Sequence, residues 1–130
     1  MTTPLWCLLI AAFLPYLLAF VGSYFKMQQF GSVDNKHPRV QAAKLEGIGA
    51  RASGAQANAW EALGFFTAVL LVLHIANPEA ARTSTAANLS LVFLATRILH
   101  PVLYVANIDM ARSGAFLVGM VCCIWLLVLA

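Results

Sequence analysis

Charge is what this sequence has least of. Eight Lys and Arg and five Asp and Glu make up 10% of 130 residues, where a soluble domain carries about 25%. With 62% hydrophobic residues, so short a chain has no core large enough to hide them from water, which excludes an ordinary soluble domain. Cysteine is scarce and odd in number. Cys7, Cys122 and Cys123 all lie in apolar stretches and read as small packing residues rather than a redox or metal centre. No low-complexity stretch or internal repeat is present, and without inverted repeats or pairs of broken helices a transporter or channel is disfavoured. His37, His74 and His100 are dispersed without ligand spacing, so no metal site is expected. The N-terminus lacks a charged region and its apolar run is long enough to span, which argues against a cleaved signal.

What is there is four apolar runs, each near the roughly 20 residues that cross a bilayer. They cover about Pro4–Phe25, Ala52–Ile75, Ala86–Val105 and Ser113–Ala130. The expected architecture is all-α: a single domain forming an integral-membrane four-helix bundle. The short second and third loops make neighbouring helices antiparallel. Lys26, Lys36, Arg39, Lys44 and Arg51 cluster around the first loop and Arg112 follows the third, whereas the second carries only Arg82. The positive-inside rule then puts loops one and three in the cytoplasm and both termini outside. The net charge of +3 reflects this topology and gives no reason to expect nucleic-acid binding.

Pro15 predicts a kink in the first span, and Gly22 and Ser23 invite close helix approach. Gly31 to Arg39 is turn-rich, and Pro38 biases His37 away from helix. Val40 to Gly49 has amphipathic helical character. Asn77-Pro78 marks the end of the second span, Thr83, Ser84 and Thr85 are candidate caps for the third, and Asn107 to Arg112 forms the turn before the fourth.

Polar side chains inside a span are costly and usually face a protein interior or a wet cavity. On the second span, Arg51, Gln56, Asn58 and Glu61 form one group. Asn58 and Glu61 are three apart and share a helix face; Arg51 precedes Asn58 by two turns, and Gly54 leaves room beside them. Such a stripe suits a zwitterionic ligand, or hydrogen bonding between helices. On the third span, Arg97, His100 and Tyr104 form a second stripe around Pro101. Arg97 is deep enough to need a partner, and Glu61 is the best candidate by charge. His100 reads as a packed histidine and Tyr104 as an interfacial aromatic. Arg112 opens the fourth span beside Ser113, where a guanidinium near a helix N-terminus favours anions and would lower the pKa of a nearby thiol.

Two segments carry a resemblance. Asp34-Asn35-Lys36-His37-Pro38-Arg39 followed by Arg51 through Leu63, and Arg97-Ile98-Leu99-His100-Pro101-Val102-Leu103-Tyr104 followed by Arg112-Ser113, resemble the family of membrane-associated proteins in eicosanoid and glutathione metabolism, in its bacterial branch. The resemblance covers most of the chain. It implies a homotrimer in a bacterial inner membrane, with glutathione as co-substrate between subunits on the cytoplasmic side. By position, Asn58 and Glu61 match residues that hold glutathione, Arg51 the first arginine of the motif, and Tyr104 a glutathione-contacting tyrosine. Arg112 matches the arginine proposed to activate the thiol, Ser113 its neighbour, and Gln56 a position that varies between His and Gln. The sequence departs from the pattern at Gly54, where the motif has a second arginine, at Ala62, where some members have tyrosine, and at Gly64, where proline is common. A lost charge-assisted contact is worth roughly 1.5–3 kcal/mol.

Two functions are therefore expected to compete. One is a glutathione-dependent transferase or peroxidase acting on a lipophilic small molecule that arrives from the lipid bilayer. The other is a non-catalytic lipid-binding or accessory subunit of a larger membrane complex, since the family includes a member that is not an enzyme.

Overall fold

The computed structural model describes residues 1–130 and is entirely helical between its turns. Four helices are long and apolar enough to cross a membrane: α1 (Thr3–Phe30), α3 (Gly47–Ala76), α4 (Ser84–Val105) and α5 (Asp109–Leu129). A short α2 (Pro38–Ala43) lies in the first loop, and a single 3₁₀ turn (Ala80–Arg82) lies in the second.

The helices begin and end where their sequences direct. Pro4 sits in the first turn of α1, where its missing N–H costs nothing. Gly31 ends α1 in the left-handed region at φ 73°, its N–H bonded to the Met27 carbonyl, a conformation that favours glycine. Thr83 caps α4 by accepting a hydrogen bond from the Ala86 N–H at 3.2 Å. Asn107, at φ 61°, turns the chain between α4 and α5.

Several helices run past the apolar stretches. With 28 residues, α1 is about 42 Å long at 1.5 Å per residue, against about 30 Å of hydrocarbon. Lys26, Gln28 and Gln29 near the end of α1, and Asp109 and Arg112 in the first turn of α5, lie in helix beyond the apolar runs. Backbone hydrogen bonding continues a helix beyond the point where hydropathy stops. The structure departs from expectation in the first loop: Val40 to Gly49 is not one amphipathic helix. α2 stops at Ala43, and α3 starts afresh at Gly47, whose φ is 53°. α1 continues as helix through Pro15, and α4 through Pro101.

The core is small. Phe66 and Phe93 stack with ring centroids 4.0 Å apart, surrounded by Val69, Leu70, Leu73 and Leu126 with the thiols of Cys7, Cys122 and Cys123. Only 22% to 39% of the most apolar stretch of each span is buried. Phe13, Phe20, Ile75 and Val128 are exposed, which is tolerable only where lipid is the solvent. Close approach of α1 to α3 occurs at Gly49, where a Cβ would lie 3.1 Å from that of Phe25. It does not occur at Gly22, where a Cβ would meet nothing within 4 Å.

Hydrogen bonds fix the two ends of the bundle. At one, Thr2 Oγ1 bonds His74 Nε2 at 2.9 Å and Asn77 Nδ2 donates to the Leu129 carbonyl at 3.1 Å. At the other, the first loop is tied down. Lys26 Nζ donates to the Pro38 carbonyl, and Gln29 bridges the Lys44 carbonyl and the Glu46 N–H. Gln41 bridges the Ser32 carbonyl and the Asp34 N–H, while Asp34 Oδ1 accepts from the N–H groups of Lys36 and His37.

Candidate functional site

The polar stripes of α3 and α4 meet along one seam. Near its end Arg51 Nε donates to the Val105 carbonyl at 3.0 Å. One turn deeper Tyr104 lies against Gly54, so closely that a Cβ there would stand 2.6 Å from the phenol oxygen. The glycine at the position of the motif's second arginine thus has a local cause: Tyr104 fills its space. One turn deeper again, Arg97 Nη1 donates to Asn58 Oδ1 at 3.4 Å.

Around Tyr104 the end cluster is cationic. The Arg112 guanidinium, from α5, sits over the Tyr104 ring at 4.3 Å from its centroid, a cation–π contact. The His100 ring stands edge-on to Tyr104 at 5.7 Å and is buried. Ser113 is exposed and Gln56 half-buried.

The deep cluster is built differently. Arg97 is 7% exposed and reaches from α4 to both neighbours. Besides Asn58 it donates to Thr96 Oγ1 at 3.4 Å and to the Ala115 carbonyl on α5 at 3.2 Å. Gly119 makes this possible, since a Cβ there would stand 2.9 Å from Thr96 Oγ1 and 3.0 Å from Arg97 Nη2. Beside Arg97 is a cavity of about 170 Å³ walled by Asn58, Glu61, Phe65, Phe93 and Phe116 together with Met120 and Cys123.

The expected Arg97–Glu61 ion pair is absent, and the chain's one ion pair joins Arg82 to Glu79. The reason is helical geometry. At 100° per residue, side chains three apart diverge by about 60°. Asn58 points into the seam, and Glu61 is turned outward and exposed. Within one chain, Asn58 and Glu61 share the cavity, while Tyr104 and Arg112 are not part of its wall. Thr96 and Gly119, which seat Arg97, were not singled out in the sequence. The signal that would have found them is a small residue on α5 facing the buried arginine.

The model of the MAPEG family matches residues 3–130. The chain belongs to the MAPEG family. With its four membrane-crossing helices, this MAPEG protein is an integral membrane protein. No curated protein and no solved structure matches it.

Proposed function

We propose that this MAPEG protein is a glutathione-dependent membrane transferase or peroxidase acting on lipophilic electrophiles. In this reading it works as a homotrimer in a bacterial inner membrane, with neighbouring helices antiparallel, glutathione between subunits on the cytoplasmic side, and both termini periplasmic. Family membership suggests glutathione-related chemistry or a role in lipid metabolism. The charge asymmetry supports the topology: Lys26, Lys36, Arg39, Lys44, Arg51 and Arg112 gather at one end, and Arg82 alone lies towards the other.

One observation carries the reading: Arg112 is held over Tyr104 at 4.3 Å, at the same end as Arg51. A guanidinium fixed there stabilises a thiolate. In the transferase reaction the sulfur forms a bond to the electrophilic carbon, the leaving group departs with the bonding pair, and the thiol proton passes to water. In the peroxidase reaction two thiols become a disulfide while a hydroperoxide is reduced to alcohol and water. Asn58 and Glu61 hold the polar ends of the tripeptide. Glu61, exposed in a single chain, suits a site completed by a second copy.

The test is ultraviolet titration of the thiolate of glutathione bound to the purified protein. The wild type is expected to depress the thiol pKa below its free value, and Arg112→Ala to restore it. An unperturbed thiol in the wild type would falsify the reading. The accessory-subunit reading is favoured by a different observation, the filling of Gly54's space by Tyr104, which leaves one cation fewer for a peptide carboxylate. Copurification at fixed stoichiometry with a larger membrane complex, without glutathione binding, would select it.

A further inference from the structure

The largest cavity in the chain lies at the end of the bundle away from the cationic cluster. It opens between the start of α1, the end of α3, the 3₁₀ turn and the start of α4, and holds about 650 Å³. That falls within the roughly 300–1,000 Å³ of sites for small organic molecules. Its walls are of two kinds. Thr2, Thr3, His74, Arg82 and Thr83 form the polar side, and Pro4, Leu5, Pro78, Ala81 and Ala87 most of the apolar side. No Asp or Glu lines it. Much of the polar side is spent on the fold. His74 Nδ1 donates to the Leu70 carbonyl at 2.8 Å, so Nε2 of the neutral ring accepts from the Thr2 hydroxyl. Thr83 Oγ1 donates to the Ala80 carbonyl and accepts from the Ala86 N–H. Two groups remain free. Thr3 is exposed with its hydroxyl uncommitted. Arg82 has five N–H donors and spends Nη1 on Glu79 at 3.2 Å, in an exposed and therefore weak pair.

We infer that this cavity holds the glycerol phosphodiester of an anionic phospholipid from the leaflet at that end. Charge gives the sign of the ligand: Arg82 is the only charged side chain in the wall, and a guanidinium meets a phosphate through parallel N–H bonds. Depth gives its source. Pro4 and Ala86 open the apolar runs of α1 and α4, so the cavity sits where the spans leave the hydrocarbon, at the level of a lipid phosphate. The apolar side, from Leu5 to Ala87, suits the glycerol and the first methylenes, which a free inorganic anion would leave unmatched. With no carboxylate in the wall, nothing there holds the ammonium of a zwitterionic head. Glu79 stands outside the wall and competes with the phosphate for Arg82.

The site is at the opposite end from Arg112, and its test contains no thiol. The purified protein in detergent is mixed with phosphatidylglycerol or phosphatidylcholine of the same chains, and native mass spectrometry counts the lipids retained per chain. One phosphatidylglycerol per chain is expected, retained at least fivefold over phosphatidylcholine. Arg82→Gln, at an exposed position, removes this preference. Ala87→Leu fills the apolar side without touching a charge and lowers retention at least fivefold. Glu79→Gln retains the lipid equally or better. Lys36→Gln, in the basic first loop, keeps the wild-type preference, and neither inorganic phosphate nor glycerophosphoglycerol displaces the lipid. Equal retention of the two lipids, an unchanged preference in Arg82→Gln, unchanged retention in Ala87→Leu or weaker retention in Glu79→Gln overturns the proposal. Displacement by the soluble phosphates overturns it in favour of a free anion, and loss of the preference in Lys36→Gln overturns it in favour of the basic loop.

Discussion

Arg112 and Arg97 both touch an aromatic ring, but their surroundings differ. Arg112 lies near the end of the bundle, held over a half-buried tyrosine by one cation–π contact, with its guanidinium N–H donors left free. Arg97 is clamped by Asn58, Thr96 and the Ala115 carbonyl, and lies 5.5 Å from the Phe93 ring centroid. The first is an arginine free to meet a ligand that comes from water. The second is part of the joint between three helices. The sequence already sets Arg97 deep in a span and Arg112 at a helix start; burial and hydrogen bonding show how differently the two are held.

Substituting the two glycines that accommodate these clusters breaks the comparison most sharply. Gly119→Leu forces a side chain against buried Thr96 and Arg97, neither of which can retreat. It is expected to lose about 3 kcal/mol, the upper range for overpacking, read as a lowered midpoint of unfolding in mixed micelles. Gly54→Ala meets only Tyr104, which is half-buried. About 1 kcal/mol is expected there, and Tyr104→Leu should relieve it in a double-mutant cycle. Equal losses at the two glycines would mean that the end cluster is as rigid as the deep one.

Arg112→Ala removes one cation–π contact, worth about 0.5–1 kcal/mol at a partly exposed site. Its effect on unfolding should be small beside its effect on the thiolate titration. Glu79→Gln breaks only the exposed pair with Arg82, in which the Arg82 and Glu79 side chains are 68% and 84% exposed. The change in unfolding midpoint should correspond to less than about 0.5 kcal/mol. A larger loss would show that this end of the bundle depends on charge in a way its exposure does not suggest.

The four spans were legible because a bilayer requires long apolar runs, and no other arrangement of this composition hides them. Their true ends were not. Lys26 to Phe30 and Asp109 to Arg112 are helical because backbone hydrogen bonds propagate, and hydropathy does not record that. The polar residues were legible as a set, but their pairing was not. Charge matching joined Arg97 to Glu61, whereas a difference in direction of about 60° turned Arg97 to Asn58 instead. Gly54 read as a departure from a motif; its structural cause, the phenol of Tyr104, lies 50 residues away in the chain and has no local signature.

The first loop has a consequence of its own. Gln29, Gln41 and Asp34 satisfy six polar groups of a segment that hydropathy alone would leave as a floppy connector. The amides of Lys36 and His37 should therefore exchange slowly with deuterium despite lying at the surface. The segment Lys36-His37-Pro38-Arg39 should also resist trypsin until Asp34 is replaced. A basic rim held this stiffly keeps a constant shape as the bilayer around it fluctuates.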